Sequence, residues 1–283
     1  MESTLERGAL YVVGTPIGNL GDFSPRAVET LEQADFIAAE DTRVTLKLLN
    51  HFGIKKPMLS YFEHNKLEHG PVIVARLRAG EICALVSDAG MPAVSDPGET
   101  LVAACAAEGV PVYVVPGPTA AISALAVSGL PTGRFTFEGF LSVNKRSRKE
   151  HLDSLAGERR TMIFYEAPHK LRKTLSDLSK LFGAERKVAL CRELTKVHEE
   201  VWRTTLGEAA ARYREQEPRG EFVLVVEGAP APAAAQETYT LEEAAELARA
   251  LQAGGLSSSE AAREAAQTTG LRKGDIYRLL AQG

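Results

Sequence analysis

The chain has 283 residues, 45% hydrophobic and 25% charged, with 33 Lys+Arg against 37 Asp+Glu and a net charge of −4. This length favours two domains over one, the composition excludes a disordered chain, and the acidic balance argues against a general nucleic-acid binder. No apolar run reaches ~18 residues, so no membrane span is expected, and the acidic N-terminal stretch MESTLERGALYVVG has no signal-peptide core.

From the N-terminus, apolar runs that read as buried strands alternate with amphipathic runs that read as helices. ALYVVG, ending at Gly14, is the first strand, and SPRAVETLEQA follows as a helix with Ser24 at the N-cap and Pro25 at the first helical position. FIAAE precedes a helix near Thr42–Asn50, MLSYF a helix near Leu67–Ala79, ICALVS a helix near Glu99–Glu108, and VPVYVVPGP a helix over about Ala120–Ser128. This β-α order predicts a mostly parallel sheet with helices on both faces. GLPTGR (Gly129–Arg134) concentrates breakers, which divides the body into α/β domains at 1–130 and 131–229. In the second, RFTFEGF and TMIFYE are strands, and PHKLRKTLSDLSKLFG is a helix that stops at Gly183. KVALCRE, VWRTTL and EFVLVVEG are further strands, two of them joined by a short connection, so the sheet should be mixed.

After Gly228, a Pro/Ala linker spans 230–238 and a helical module spans 239–283. Thr240 with Glu243 and Ser257 with Glu260 read as capping boxes. A helix, a turn at Gly270 and another helix then give the outline of a helix-turn-helix. A helical hairpin packed on the body or on a partner subunit has the same outline.

Open parallel sheets bind ligands outside the carboxyl ends of their strands. Three breaker-rich loops fall there: GTPIGNLGD after the first strand, SDAGMPAVSDPG (Ser87–Gly98) after the fourth, and PGPTAAISA after the fifth. None carries a lysine or arginine, and neither GxxxxGK[ST] nor GxGxxG is present at a strand-to-helix turn. The loops offer backbone N–H and C=O groups and the carboxylates Asp22, Asp88 and Asp96. Such a pocket suits a ligand with hydroxyls, an amine or a positive centre and no phosphate, and S-adenosylmethionine has that profile. Asp96, ahead of Pro97-Gly98, is placed to cap the next helix.

Charge is uneven. Residues 144–203 hold 15 Lys+Arg against 9 Asp+Glu, a local +6 that leaves −10 for the remainder. Lys145, Arg146, Arg148 and Lys149 read as a basic loop after GFL, and His169, Lys170, Arg172 and Lys173 lie on the following helix. This fits a polyanion surface, and solvated helix faces would look the same. The six histidines lack ligand spacing, so no metal site is expected. Cys83, Cys105 and Cys191 are isolated from one another, which fits small buried residues in a reducing, cytoplasmic protein.

Seven motifs in order, LYVVGTPIGNLGD, AAEDTR, SDAGMPAVSDPG, VPGPTAAISALAVSGL, FEGFL, IFYEAPHKL and RELTKVHEE, closely resemble those of the bacterial 16S ribosomal RNA 2′-O-cytidine methyltransferases of the tetrapyrrole-methylase superfamily. The resemblance covers about Ala9 to Gly228, and the C-terminal module resembles that family's tail. It implies two α/β domains with an S-adenosylmethionine cleft between them, a homodimer, and a cytidine of the decoding region of 16S rRNA, in the assembled small subunit, as target. Carried over by position, the cofactor would touch Thr15 or Pro16, then Asp88, Gly90 and Met91, then Thr119 and Ala120, then Tyr165, and finally Glu221, Phe222 and Val223. Met91 stands where the family usually has a small hydroxyl residue, and the usual proline after GFL is absent. Arg43, Lys145, Arg146, Arg148 and Lys170 would contact RNA.

The 2′-hydroxyl would gain from a nearby base or from a cation that lowers its pKa; Glu166 is the first choice, because it follows Tyr165, and Glu40, Asp41, His64, Arg43 and Lys145 are the other candidates. Plainer roles stand beside these. Asp88 could cap a turn, Tyr165 could be a sheet aromatic, and Asp41 could be an ion-paired helix cap. Two other functions fit parts of the sequence: an S-adenosylmethionine-dependent methylase of a small molecule such as a tetrapyrrole, and an RNA-binding factor with a vestigial pocket.

Overall fold

The computed structural model describes residues 5–230 and 239–281. The chain divides into one compact unit ending at Ala229 and a smaller one from Pro230.

The first half of the large unit contains β1 (Leu10–Val13), α1 (Pro25–Gln33), β2 (Phe36–Ala39), α2 (Thr42–His51), β3 (Met58–Ser60), α3 (Lys66–Arg78), β4 (Cys83–Val86), α4 (Gly98–Ala107), β5 (Val112–Val115) and α5 (Ala120–Ser128). Ser24 caps α1 by accepting the Ala27 N–H. The strands form a parallel sheet in the order β3-β2-β4-β1-β5. Side chains alternate between two cores. Leu10, Val12, Phe36, Ala38, Cys83 and Leu85 meet Ile73 and Leu77 of α3 and Leu101 of α4. Tyr11, Val13, Ile37, Ala39, Ala84 and Val86 meet Ala27 and Leu31 of α1 and Leu49 of α2. Covering both faces is why these strands read as unbroken apolar runs. All three cysteines are buried and free, and burial pushes the Cys105 thiol up to about 11 and the Cys191 thiol up to about 12.

The second half contains β6 (Phe135–Phe140), α6 (Lys145–Ser154), β7 (Thr161–Glu166), α7 (Pro168–Phe182), β8 (Lys187–Arg192), β9 (Glu200–Thr205), α8 (Leu206–Glu215) and β10 (Phe222–Val226). The sheet is mixed, in the order β6-β7-β10-β8-β9, with only β6 and β7 parallel. Met162, Phe164, Val188, Leu190, Phe222 and Leu224 face the helices α6, α7 and α8. Ile163, Ala189, Cys191, Val223 and Val225 face Ala121, Ala124 and Leu125 of α5. Thus α5 follows the last strand of the first sheet yet covers the second. The breaker-rich stretch near Gly129 and the packing boundary do not coincide.

The basic run after GFL, expected as a loop, is the start of α6. Asn144 caps that helix by accepting the Arg146 and Ser147 N–H groups at 2.9 and 3.2 Å. The helix α8, capped by Thr205, falls where the sequence leads to no expectation of a helix.

In the smaller unit, α9 (Leu241–Ala253), α10 (Ser258–Thr269) and α11 (Lys273–Leu280) pack around Ala244, Ala248, Ala261, Ala262, Ala265 and Ile276. Both capping boxes form, at Thr240 with Glu243 and at Ser257 with Glu260. Among the described residues no helix is long and apolar enough to cross a membrane.

Candidate active site

The carboxyl ends of β1, β4 and β5 bring the three loops together. Thr15 and Gly90 exchange backbone hydrogen bonds of 2.9 and 3.1 Å as an isolated antiparallel bridge. The Thr15 hydroxyl turns inward and lies 3.4 Å from the carbonyls of both Ser87 and Gly90, so this side chain knits loops together. Gly14 and Gly117 approach so closely that a Cβ on Gly14 would lie 2.7 Å from Gly117 Cα and 2.6 Å from Met91 Sδ, which only glycine avoids. The Met91 sulfur accepts the Gly117 N–H at 3.3 Å. Beyond Met91, Ala93 and Ser95 adopt positive φ of 66° and 69°. Asp96 holds them there, accepting the Ala93, Val94 and Gly98 N–H groups at 3.0, 3.3 and 2.8 Å. Strain of this kind collects in functional loops.

Carboxylates line the rim. Asp88 Oδ1 accepts the Asp41 N–H at 3.1 Å, and Glu40 Oε2 accepts the Asp88 N–H at 3.4 Å. Asp41 caps α2 and grips the Arg43 guanidinium at 3.0 and 2.6 Å. Those bonds hold the Asp41 carboxyl down at about 2. Desolvation pushes the Glu40 carboxyl up, and the negative charges of Asp88, Asp96 and Asp41 add to it. Asp88 is also raised: its residue is exposed, but crowding by loop atoms strips water from the carboxylate.

Tyr165, at the end of β7, meets the start of α5. Its hydroxyl accepts the Ala121 N–H at 3.1 Å, in the first turn of α5. Phe137 and Phe140 meet its ring edge-on, with centroids 5.0 and 5.5 Å away. Val223 is its ladder partner on β10. Thr119 caps α5 by accepting the Ile122 N–H at 3.2 Å. The loop and strand positions Pro16, Gly90, Met91, Thr119, Ala120, Tyr165 and Val223 therefore gather around the start of α5 and the loops that precede it. Phe137 and Phe140 are not among the site residues expected from the sequence, although FTFEGF sets them on either side of Gly139. Glu221 lies beside this group and bonds Lys196 at 2.7 Å.

Three predicted side chains sit elsewhere. Glu166 follows Tyr165 along a strand, so it points to the opposite face of the sheet. There it is 3% exposed and accepts from the Ala167 N–H at 2.9 Å and the Thr174 hydroxyl at 2.5 Å. It cannot reach a ligand beside Tyr165. The Phe222 side chain likewise turns into the core beneath α7 and α8. Arg148 is 5% exposed and is spent inside the protein, donating to Thr174 Oγ1 at 2.8 Å and Asp177 at 3.0 Å. Arg146 is exposed and pairs with Glu150 at 2.8 Å, and Arg43 is tied to Asp41. Neither Lys145 nor Lys170 makes an ion pair among the described residues.

The gathered surface offers backbone amides and carbonyls, acidic groups at its rim and the apolar faces of Met91 and Tyr165. Its three loops present no lysine or arginine. That donor set fits the hydroxyls, ammonium and sulfonium of S-adenosylmethionine and does not fit a phosphate.

Comparison with known proteins agrees with this chemistry. Residues 9–210 match the family model of Tetrapyrrole (Corrin/Porphyrin) Methylases. A protein named ribosomal RNA small subunit methyltransferase I from Synechocystis sp. is 51% identical, over 96% of this chain and 97% of the relative. A relative of the same name from Thermotoga maritima is 47% identical, over 78% of this chain and 99% of its own length. Among solved structures, a cobalt precorrin-4 methyltransferase superposes with a TM-score of 0.58 at 19% identity, over 79% of this chain and 98% of that chain, a likeness of fold alone. The chain therefore belongs to the tetrapyrrole methylase family, in the branch made up of relatives named ribosomal RNA small subunit methyltransferase I.

Proposed function

We propose that this enzyme transfers a methyl group from S-adenosylmethionine to the ribose 2′-oxygen of a cytidine in the decoding region of 16S rRNA, in the assembled small subunit and in the cytoplasm. The observation that carries this reading is the carboxylate-rimmed loop cluster, whose three loops hold no lysine or arginine, in a chain whose relatives are named for small-subunit rRNA.

Bound S-adenosylmethionine supplies a methyl on a positive sulfur, whose charge vanishes on transfer, so the leaving thioether needs no proton. The work left to the chain is alignment. The backbone of Gly14–Pro16, Gly90–Met91 and Gly117–Ala120 would hold the cofactor, with Asp88 accepting from its hydroxyl or amine groups and Tyr165 covering it. The 2′-hydroxyl is a weak nucleophile that gains from a nearby acceptor for its proton. With Glu166 out of reach, Glu40 Oε2 is the carboxylate best suited, since it lies at the rim and its carboxyl is raised above the ordinary range. Lys170 and Arg43 would meet RNA phosphates.

The chain would act as a homodimer. The open edge of β5, where Tyr113 and Val114 are exposed, supports self-association, and sedimentation in solution tests it.

The deciding experiment incubates unmethylated small-subunit rRNA, free and assembled, with the protein and S-adenosylmethionine, followed by nucleoside mass spectrometry. A new 2′-O-methylcytidine is the expected product. No methylated nucleoside, with cofactor binding intact, would turn the assignment to a small-molecule acceptor.

A further inference from the structure

We propose that α6 and α7 form a second RNA-binding site, a groove that takes phosphates of the RNA backbone on the face of the second sheet turned away from Tyr165 and the cofactor loops. This rests on the RNA reading above and adds a grip remote from the methylated nucleotide.

The groove has a volume of about 400 Å³ and is lined by Lys145, Lys149, Lys173 and Lys180, with Arg148, Asp153 and Asp177 among its other walls. Five cations against two carboxylates leave a net +3. The two carboxylates are already engaged, Asp177 by Arg148 and Asp153 by Lys149. Lys145, Lys173 and Lys180 make no ion pair or hydrogen bond among the described residues. Three unpaired ammonium groups around one depression repel each other and do nothing for the fold, whereas phosphates would neutralise them. Solvated helix faces look different: on the same α6, Arg146 has its own acid one turn away, Glu150.

Geometry favours an extended anion. Lys173 and Lys180 are seven residues apart on α7, two turns on one face, which separates them by about 10.5 Å along the axis. Lys145 and Lys149 lie one turn apart on the opposite wall, about 6 Å along α6. The walls are fixed from beneath. The Arg148 fork ties α6 to Thr174 and Asp177 of α7, and Thr174 in turn bonds Glu166 at the end of β7. A groove held open before binding loses less entropy when it is filled.

Its position makes it a separate site. Both helices pack on the face of Met162 and Phe164, whereas Ile163 and Tyr165 belong to the face covered by α5. An RNA held in the groove must continue around the edge of the sheet to present a nucleotide to the cofactor loops. Short target fragments would miss this grip, and the long rRNA would not.

The test uses the full chain with Lys173→Glu and Lys180→Glu together, and Lys173→Gln with Lys180→Gln as a milder pair. The RNA affinity of each is measured on small-subunit rRNA over a range of salt, with calorimetric S-adenosylmethionine affinity as the check on folding and on the cofactor loops. The charge-reversed pair should bind rRNA at least tenfold more weakly. The neutral pair should flatten the slope of log affinity against log salt by about 1.4, for two lost phosphate contacts to single strands. Both should bind S-adenosylmethionine normally and methylate a short target oligonucleotide as the parent does. Unchanged rRNA affinity and slope, with methylation of rRNA intact, would overturn the groove and leave the proposed function standing. Weakened methylation of assembled subunits with unchanged affinity for free rRNA would assign the groove to an acidic protein and overturn it as an RNA site. A parent chain that neither binds nor methylates rRNA would remove the proposed function, and the groove with it.

Discussion

Replacing Glu166 with Gln separates a structural carboxylate from a catalytic one. One oxygen of Glu166 takes the Ala167 N–H at 2.9 Å and the other takes the Thr174 hydroxyl at 2.5 Å. Glutamine keeps the shape but only one acceptor. Its amide N–H would face Thr174 Oγ1, which already receives the Arg148 guanidinium at 2.8 Å. One charge-assisted hydrogen bond is lost in a buried site, worth about 1.5–3 kcal/mol. With a urea m-value of about 3 kcal/mol/M, the unfolding midpoint should fall by roughly 0.5–1 M. Catalysis should respond differently. Loss of a general base costs about 10²–10⁴ in rate, but a residue on the far face of the sheet should leave single-turnover methyl transfer within about threefold of the parent, less than 1 kcal/mol of barrier. The assay is transfer of labelled methyl to rRNA at saturating S-adenosylmethionine, below the unfolding transition. A hundredfold slower transfer by a folded variant with normal cofactor affinity would refute the placement of Glu166.

Asp88→Ala should weaken S-adenosylmethionine binding at least tenfold, about 1.4 kcal/mol, by calorimetry on a folded protein; unchanged affinity would remove Asp88 from the site. Glu40→Gln should act on stability and rate in opposite directions. The Glu40 carboxyl is raised by desolvation, so below the unfolded carboxylate value of about 4.3 both states are protonated and the substitution should leave the melting temperature alone. As pH rises through the higher folded value, the parent must ionise a desolvated group. Glutamine should then raise the melting temperature at about pH 7 and slow methyl transfer about a hundredfold or more. A chain ending at Ala229 should keep its S-adenosylmethionine affinity, because that unit has its own cores; loss of cofactor binding would show that the C-terminal helices support the site.

Local signals carried the fold a long way. Ser24, Thr240 and Ser257 cap helices where the sequence puts them, because a cap and its N–H partners lie within one turn. Asp96 differs: the N-cap of α4 is Pro97, and Asp96 instead ties the loop ahead of that helix through partners within three residues. Long-range pairing was not legible. Nothing beside Arg148 announces Asp177, 29 residues away, so a buried arginine reads as a solvated one. The run of positive charge also hid the start of α6, although Asn144 and the pairs Arg146–Glu150 and Lys149–Asp153 are helix signals. The error at Glu166 has another origin. From Met162 to Tyr165 the strand TMIFYE is hydrophobic on both faces, so its alternation carries no visible inside and outside. Adjacency in sequence then stands in falsely for adjacency in space.

The helix α5 has a mechanical consequence. It is joined covalently to β5 but seated on the second sheet through Ala121, Ala124 and Leu125, and Arg203 of β9 grips the Val127 carbonyl near its far end. Any swing of one sheet against the other must carry this helix with the second and flex the chain at Pro116–Pro118. The hydrogen bond from Ala121 to Tyr165 would ride along unbroken. The bond from Gly117 to the Met91 sulfur lies at the pivot, where a small rotation would part it. The Gly117–Met91 contact would therefore part first in any such swing, while the seat of α5 on the second sheet stayed intact.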